Sequence, residues 1–289
     1  MNWIHFSLGC GDRHVKRWHA ACMDSDRPID RVALVTGAAR GIGAATVLEL
    51  CRQGYAVTAL DVCSGGNVLP GVGYAMANRA HLDAVAQAFP DQVLAVESDV
   101  RDREALESAV NATLVRFGRL DAVVASAGVV VGGLSQWDTP DEHLETLLDV
   151  NVLGVWNTAA VTVPVMLAGP APSECRFVAI ASAAGERGLF KLAGYVASKH
   201  AVIGIVRGLA ADLVGTGLAA IAVAPGSTDT PMLAATADLY DATPTELAEQ
   251  QGIRRLIAPE EIAATIALCC SPAGAALNGS VIRADGGFG

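Results

Sequence analysis

Residues 31–50 have the sequence RVALVTGAARGIGAATVLEL, and this stretch decides the fold. The apolar run at 32–36 predicts a strand, and the run at 42–53 predicts a helix that Gly54 ends. Between them, the glycines of Thr36-Gly37-Ala38-Ala39-Arg40-Gly41-Ile42-Gly43 have a G-x-x-x-G-x-G spacing. Glycines allow a close approach to a pyrophosphate, and the first N–H groups of a helix attract its charge. The stretch therefore predicts a phosphate-binding turn, with an ordinary glycine turn as the alternative.

Strand and helix patterns then alternate along the rest of the chain. Further strands are predicted at 55–60, 92–97, 120–125, 176–181, 218–224 and 280–283, and helices at 102–117, 141–167, 195–214 and 260–270. Such alternation predicts an α/β fold: a doubly wound parallel sheet (Rossmann fold) of about seven strands with helices on both faces. We expect one domain over 28–289, a substrate lid at about 231–257, and a poorly structured extension over 1–27.

Composition excludes several other classes. The chain of 289 residues carries a net charge of −10 and has no basic stripe, which argues against nucleic-acid binding. The apolar stretch 150–167 contains Asn and Pro, so no membrane span is predicted. Seven cysteines lack a paired pattern, which is typical of free thiols in a reducing cytoplasm. Cys10, His14, His19 and Cys22 match no standard zinc spacing, and no metal site is expected.

Asp61 and its neighbour Val62 follow the second predicted strand and are candidates for cofactor binding. Asp61 lies twenty-four residues beyond Gly37. A carboxylate there can accept hydrogen bonds from the adenosine ribose and repels a 2′-phosphate, so it favours NAD over NADP. Arg40 argues weakly for NADP, because an arginine in the glycine turn can contact a phosphate.

Two further candidate segments follow the third and fourth predicted strands. Asp99 and Val100 are expected to cap the adenine end of the site, and a helix N-cap is an equally good interpretation of Asp99. Ser126, Ala127 and Gly128 end the fourth strand, where small residues let a cofactor lie against the backbone.

The residues with the clearest chemistry are Tyr195 and Lys199, with Ser182 thirteen residues before the tyrosine. Residues i and i+4 share one face of a helix, so the phenol and the ammonium are expected to face one pocket. A nearby ammonium, helped by a cationic cofactor ring, is expected to lower the pKa of the phenol from about 10 and make it a useful base. Ser182 can donate a hydrogen bond to a substrate oxygen. A surface tyrosine and lysine on an amphipathic helix are the alternative.

Together these residues resemble the short-chain dehydrogenase/reductase family over 31–289. The resemblance implies that Tyr195 is the general acid/base, that Lys199 binds the nicotinamide ribose and lowers the phenol pKa, and that Ser182 polarises the substrate oxygen. It also implies that Asn151 holds a water that links Lys199 to solvent, and that the chain forms a homotetramer or homodimer. The nicotinamide is expected to be wrapped by Pro225, Gly226, Ser227, Thr228 and Thr230.

Two features depart from the usual family pattern. Residues 125–128 are Ala-Ser-Ala-Gly where the family usually has Asn-Asn-Ala-Gly, and Ser126 is expected to replace the lost Asn in part. A glycine-rich insertion at about 63–74 can fold over the adenosine. Both features look similar to the mycofactocin-associated branch, whose NAD is proposed to stay bound and to be reoxidised by a peptide-derived redox carrier. A flexible loop with ordinary, exchangeable NAD is the alternative.

The expected reaction is reversible hydride transfer between NAD and a secondary alcohol or ketone. Segments 129–137, 183–192 and 231–257 are expected to line an apolar pocket suited to a terpenoid, steroid-like or aliphatic substrate. Glu186 and Arg187 either add polarity to that pocket or face solvent. Two other functions stay open: an epimerase or dehydratase that uses bound NAD transiently, and a non-catalytic nucleotide-sensing protein.

Overall fold

The computed structural model describes residues 31–66 and 69–288 and contains one seven-stranded parallel sheet. Its strand order is β3-β2-β1-β4-β5-β6-β7. The strands are β1 Arg31–Thr36, β2 Tyr55–Asp61, β3 Val93–Glu97, β4 Ala122–Ala125, β5 Arg176–Ile180, β6 Ala219–Pro225 and β7 Val281–Ala284. The predicted doubly wound sheet is confirmed. The predicted extension over 1–27, with Cys10, His14, His19 and Cys22, lies outside the described residues.

Helices cover both faces of this sheet. They are α1 Gly41–Arg52, α2 Arg79–Ala88, α3 Arg103–Phe117, α4 Asp141–Leu147, α5 Gly154–Ala168, α6 Ala193–Asp212, α7 Pro231–Asp238, α8 Pro244–Ala248 and α9 Pro259–Cys270. Sequence patterns did not predict α2, α7 and α8. In α2 only Leu82 and Val85 are buried, so the apolar face that would indicate a helix is very narrow.

The strand order determines where a ligand-binding crevice can form at the edge of the sheet. The chain leaves β1 for β2 on one side and returns to β4 on the other, which creates a switch point beside β1. Thr36 pairs with Leu60 in β2 and with Ala125 in β4, so these strands end at one level. Loops that follow β1 to β6 therefore meet along one crevice at the carboxyl edge.

Two apolar layers hold the sheet between the helices. Leu34 and Phe177 belong to the layer on one face, and Val35, Val57 and Ile221 belong to the layer on the other. Adjacent positions such as Leu34 and Val35 enter opposite layers because successive side chains of a strand alternate. Strands β2, β4, β5 and β6 are buried along their whole length, as continuous apolar strands predict, whereas the edge strands β3 and β7 are only partly buried.

The helix predicted over 141–167 is interrupted. A π-helical turn, Leu148–Leu153, separates α4 from α5 and has Asn151 near its middle. The stretch Asp141–Ala168 is long and apolar enough to cross a membrane by length and composition alone, but 56% of its most apolar window is buried in the protein. Because α5 packs against α3, β4 and β5, this burial is that of a core helix.

Candidate active site

A cavity of about 560 Å³ runs along the carboxyl edge of the sheet. Its volume is in the range of small-molecule sites. Most of the sequence-predicted site residues line it: Gly37, Arg40, Gly41, Ile42, Gly43, Asp61, Val62, Asp99, Val100, Ser126, Ala127, Gly128, Ser182, Tyr195, Lys199, Pro225, Gly226, Thr228 and Thr230. Ala39 and Asn151 lie behind this lining. No group of three or more His, Cys, Asp or Glu side chains suited to a metal occurs within 31–66 and 69–288.

The glycine turn between β1 and α1 forms one wall. Gly37 and Gly41 have φ values of +66° and +56°, which favour glycine. A Cβ on Gly37 would lie 2.7 Å from Ala127 Cα, so the turn packs directly on the end of β4. Helix α1 begins without a side-chain cap and without an acidic residue in its first turn. Its free N–H groups therefore fit a pyrophosphate.

Asp61 and Arg40 have different surroundings at this turn. The Asp61 carboxylate accepts hydrogen bonds from Ala39 N and Cys63 N, both at 3.1 Å, and lines the cavity. Arg40 donates to Ala75 O at 2.7 Å, and its guanidinium lies 5.7 Å from the Tyr74 ring centroid. Arg40 is thus held by the insertion after β2, which weakens the sequence argument for a phosphate contact.

The end of β3 contributes a serine that sequence reasoning missed. Ser98 Oγ is buried, lines the cavity and has no hydrogen-bond partner among the described residues. A buried hydroxyl without a partner is costly, so this position fits a polar ligand group at the adenosine end. Its neighbour Asp99 is paired with Arg101 at 2.6 Å. The N-cap of α3 is Asp102, which accepts from Ala105 N at 3.1 Å, and not Asp99.

At the end of β4, where the family's usual Asn is missing, a threonine of the neighbouring strand holds the backbone. Thr36 Oγ1 accepts hydrogen bonds from Ser126 N at 3.0 Å and from Ala127 N at 3.1 Å. Ser126 takes part through its backbone, so the expectation that its side chain replaces the missing Asn finds no support in these contacts. Thr36 of the adjacent strand holds this segment instead, a role that sequence reasoning missed.

Asn151 is fully buried in the π-helical turn behind the lining. Its Oδ1 accepts from Val129 N at 2.8 Å, and its Nδ2 donates to Val129 O and to Ser198 Oγ, both at 3.0 Å. The side chain therefore fixes the loop after β4 against α6. The water link to Lys199 that the family resemblance implies stays a prediction.

Tyr195, Ser182 and Lys199 meet at the centre of the cavity. The Ser182 hydroxyl lies beside the Tyr195 phenol, and Lys199 Nζ lies 5.8 Å from the Tyr195 ring centroid. Lys199 Nζ donates to Ile180 O at 2.9 Å. Ser182 Oγ also accepts from Ala184 N at 3.1 Å, which fixes the hydroxyl at the end of β5.

Burial dominates the pKa values of this group in the protein alone. It raises the pKa of Tyr195 to about 12, although the neighbouring Ser182 hydroxyl acts to lower it. Burial also lowers the pKa of Lys199 to about 8. The expected lowering of the phenol pKa involves a cationic cofactor ring as well as Lys199, and it stays a prediction. In the protein alone, desolvation outweighs the attraction of the Lys199 ammonium, whose Nζ donates to Ile180 O.

Residues 69–77, here called the strap, begin inside the predicted insertion and run from the end of β2 towards the loop after β4. Tyr74 Oη accepts a hydrogen bond from Val130 N at 3.2 Å. Val72 is buried in a small apolar cluster with Val131 and Leu147, and Tyr74 and Tyr195 pack against that cluster. That the insertion folds over the adenosine stays a prediction; the structure shows that the strap reaches the neighbourhood of Tyr195.

Apolar side chains line the other end of the cavity. They come from the segment after β5, the segment 231–257 and the C-terminus: Leu189, Phe190, Met232, Leu233, Tyr240, Leu247 and Phe288. Tyr240 Oη donates to Phe190 O at 2.6 Å and so joins two of these segments. Glu186 is bound to Arg283 at 2.8 Å, and neither Glu186 nor Arg187 lines the cavity.

The comparisons with known proteins agree with this geometry. A family model described as enoyl-(acyl carrier protein) reductase matches residues 37–289. A (-)-trans-carveol dehydrogenase of Rhodococcus erythropolis is 35% identical over 206 residues, which cover 70% of this chain and 73% of the relative. An uncharacterized NAD-dependent oxidoreductase of Mycobacterium tuberculosis is 38% identical with the same coverage. The crystal structure of carveol dehydrogenase from Mycobacterium avium in complex with NAD is similar with a TM-score of 0.84 and 27% identity, covering 91% of this chain and 98% of that one.

Proposed function

This chain belongs to the short-chain dehydrogenase/reductase family, and we propose that it is an NAD-dependent alcohol/ketone oxidoreductase that acts on an apolar secondary alcohol. The observation that carries this proposal is one continuous cavity, which joins the glycine turn and Asp61 to Tyr195, Ser182 and Lys199. The relatives named above as a carveol dehydrogenase and as an NAD-dependent oxidoreductase support the same reaction class, as does the carveol dehydrogenase structure in complex with NAD. Carveol is a cyclic terpenoid secondary alcohol, which suits the apolar end of the cavity.

In the proposed mechanism, Tyr195 in phenolate form takes the proton of the substrate hydroxyl. Ser182 Oγ donates a hydrogen bond to the same oxygen and orients it towards the phenol. Lys199 supplies positive charge near Tyr195 and holds the ribose. Bound NAD would supply the hydride acceptor and, when oxidised, a positive ring charge that adds to the effect of Lys199 on the phenol pKa.

Residues that fit NAD are distributed along the whole cavity. The uncapped start of α1 and the glycine turn suit its pyrophosphate, and Ser98 Oγ offers a free hydroxyl at the adenosine end. Asp61 is placed to accept from the adenosine ribose. Thr228 and its neighbours after β6 lie at the nicotinamide end.

Net formation of NADH from carveol tests the proposed function. Purified protein, NAD and trans-carveol should give a rise in NADH absorbance together with the corresponding ketone. An epimerase or dehydratase would give product without net NADH, and a nucleotide-sensing protein would bind NAD without turnover. Either result would replace the dehydrogenase assignment.

Asp61→Asn is expected to shift the cofactor preference towards NADP. The substitution keeps an acceptor for the backbone but removes the charge that repels a 2′-phosphate, and like charges about 4 Å apart near a protein surface repel by several kcal/mol. We expect the NADP/NAD ratio of kcat/KM to rise by about 10²-fold. Asp83→Asn, on the exposed face of α2 and ion-paired with Arg79, is the control. An unchanged NADP/NAD ratio of kcat/KM in Asp61→Asn would mean that the adenosine ribose does not bind beside Asp61.

We also propose that the strap retains NAD, so that a redox carrier reoxidises it in place as in the mycofactocin-associated branch. Support comes from Tyr74, which ties the strap to Val130, and from Arg40, which ties it to the glycine turn. Native mass spectrometry should find NAD on the purified protein. Tyr74→Ala should release NAD about tenfold faster, and Tyr74→Phe less, because it loses only the hydrogen bond. Equal release rates in all three proteins would favour ordinary, exchangeable NAD.

Oligomeric state and location are further proposals of the same kind. Trp156 is 56% exposed and Leu153 48% exposed, and the two lie one turn apart around the start of α5, where neighbouring exposed apolar side chains can form an interface. This surface supports the proposed homodimer or homotetramer. The lid role of 231–257, the extension over 1–27 and a cytoplasmic location likewise stay predictions.

A further inference from the structure

Gln251 is a buried polar residue that none of the roles above explains. Only 1% of it is exposed, and it lies between α8 and α9, beneath the cavity. Its Oε1 accepts from Ser227 N at 2.9 Å, and its Nε2 donates to Ser227 O at 3.2 Å and to Arg255 O at 2.8 Å. One amide side chain thus satisfies both backbone groups of Ser227, as a neighbouring strand would.

Glycine at position 226 leaves the space that the Gln251 side chain occupies. A Cβ on Gly226 would collide with Gln251 Oε1 and would lie 2.7 Å from Asp285 O. Gln251 is also paired through its backbone with Phe288 of the C-terminal segment, which lines the cavity. The residue therefore joins three parts of the site: the loop after β6, the segment 231–257 and the C-terminus.

The same contacts orient Thr228. Ile257 N donates to Ser227 O at 3.0 Å, and Asp229 N donates to Ile257 O at 2.9 Å, so Thr228 is the central residue of a parallel bridge. In such a bridge the N–H of the central residue points away from the partner. No described residue accepts a hydrogen bond from Thr228 N, and Thr228 lines the cavity.

We propose that Gln251 is a positioning residue for the nicotinamide half of the dinucleotide: by fixing Ser227 it holds Thr228 N in place as a donor to the carboxamide. This inference rests on the proposed function. Gln251 does not line the cavity, so its effect is expected to be confined to the part of the ligand that the 226–228 loop meets. Its side-chain hydrogen bonds go to Ser227 and Arg255, and none goes to Asp61, Ser98 or the glycine turn, which are proposed for the adenosine end.

The affinities for two ligands distinguish a positioning role of Gln251 from a general effect on the stability of the protein. Dissociation constants for NAD and for ADP-ribose, which lacks the nicotinamide, are measured calorimetrically on wild type and Gln251→Leu. We expect the NAD constant to rise about tenfold, since several buried hydrogen bonds are lost, and the ADP-ribose constant to change less than about twofold. Gln92→Leu is the matched control: Gln92 Nε2 donates to Cys51 O and Tyr55 O at the opposite edge of the sheet. It should lower stability and leave both constants unchanged.

Gln251→Glu provides a second readout should the leucine variant not fold. A carboxylate at this position faces Ser227 O and Arg255 O, whereas a protonated acid restores one donor and one acceptor. NAD affinity of this variant should therefore recover as pH falls, with ADP-ribose affinity constant. Equal losses for both ligands, or no loss for either, would overturn the positioning role. Wild type that binds neither ligand would overturn the proposed function itself.

Discussion

Tyr195→Phe is expected to lower kcat for carveol oxidation by about 10³-fold, because general acid–base catalysis contributes about 10²–10⁴-fold and phenylalanine cannot accept the proton. The phenol lies beside Ser182 in the cavity, so its loss removes the proposed base while the aromatic ring still fills the same space. NAD affinity should change by less than about twofold, because the ring remains. Steady-state NADH formation and calorimetric NAD binding measure the two effects.

Tyr55→Phe is the matched control for this experiment. Tyr55 begins β2 at the opposite edge of the sheet, where its hydroxyl accepts from Arg31 at 2.7 Å and lies 3.2 Å from Cys270 O. Its loss should cost about 1 kcal/mol of stability and leave kcat of the folded enzyme unchanged. Tyr195→Phe that keeps a tenth or more of wild-type kcat would exclude Tyr195 as the general base.

The pKa of Tyr195 sets a further condition on that role. A value of about 12 in the protein alone means that the phenolate is scarce at neutral pH. Alcohol oxidation should therefore depend steeply on pH, and its apparent pKa should lie well below 12 if bound NAD and Lys199 favour the phenolate. Loss of that pH dependence in Tyr195→Phe would assign it to the phenol.

Local sequence patterns predicted most of the sheet and much of the site, for a physical reason. Each strand was visible as a short apolar run, and in a parallel sheet all strand ends meet at one edge. Residues that directly follow a strand, such as Asp61, Asp99 and Ser182, therefore had to come together in one crevice. Ser98 could have been found by the same reasoning, since it also follows a strand.

Contacts between distant segments could not be predicted in this way. Gln251 lies twenty-four residues from Ser227 and in no recognisable motif, and its amide contacts depend on how the loop after α8 folds back. Tyr74 lies in an insertion without periodicity, so its contact with Val130 follows only from the path of the strap. The π-helical turn at Asn151 likewise could not be predicted, because the apolar pattern of the sequence continues through it.

The spacing of Tyr195 and Lys199 predicts that the two side chains lie close together, but it does not predict how far burial shifts their pKa values. Tyr195 and Lys199 do lie on one face of α6, as i and i+4 spacing predicts. Burial then penalises the charged form of each group, which raises the phenol pKa and lowers the amine pKa. Sequence alone could not show how deeply the pair is enclosed.

Lys199→Met is expected to abolish efficient catalysis and to stabilise the protein at the same time. A pKa lowered from 10.5 to about 8 means that burial of the charged amine costs about 3 kcal/mol at neutral pH. Methionine fills a similar volume without charge. After the lost hydrogen bond to Ile180 O is subtracted, the variant should be about 2 kcal/mol more stable at pH 7. Its kcat/KM should fall by about 10²-fold or more, because the charge that favours the phenolate is gone.

The pH dependence of unfolding distinguishes this cause from better packing. Between about pH 8 and pH 10.5, Lys199 of the folded protein has lost its proton, while Lys199 of the unfolded chain still binds one. The contribution of Lys199 to the free energy of unfolding of wild type therefore increases as the pH rises through this range. The advantage of Lys199→Met should therefore be constant below pH 8 and disappear towards pH 10.5. Buried cysteines titrate in both proteins, so their effect cancels in the difference. Urea unfolding of dinucleotide-free wild type and variant at pH 7 and pH 10 measures it, and a gain in stability that does not change with pH would mean that Lys199 carries no burial penalty.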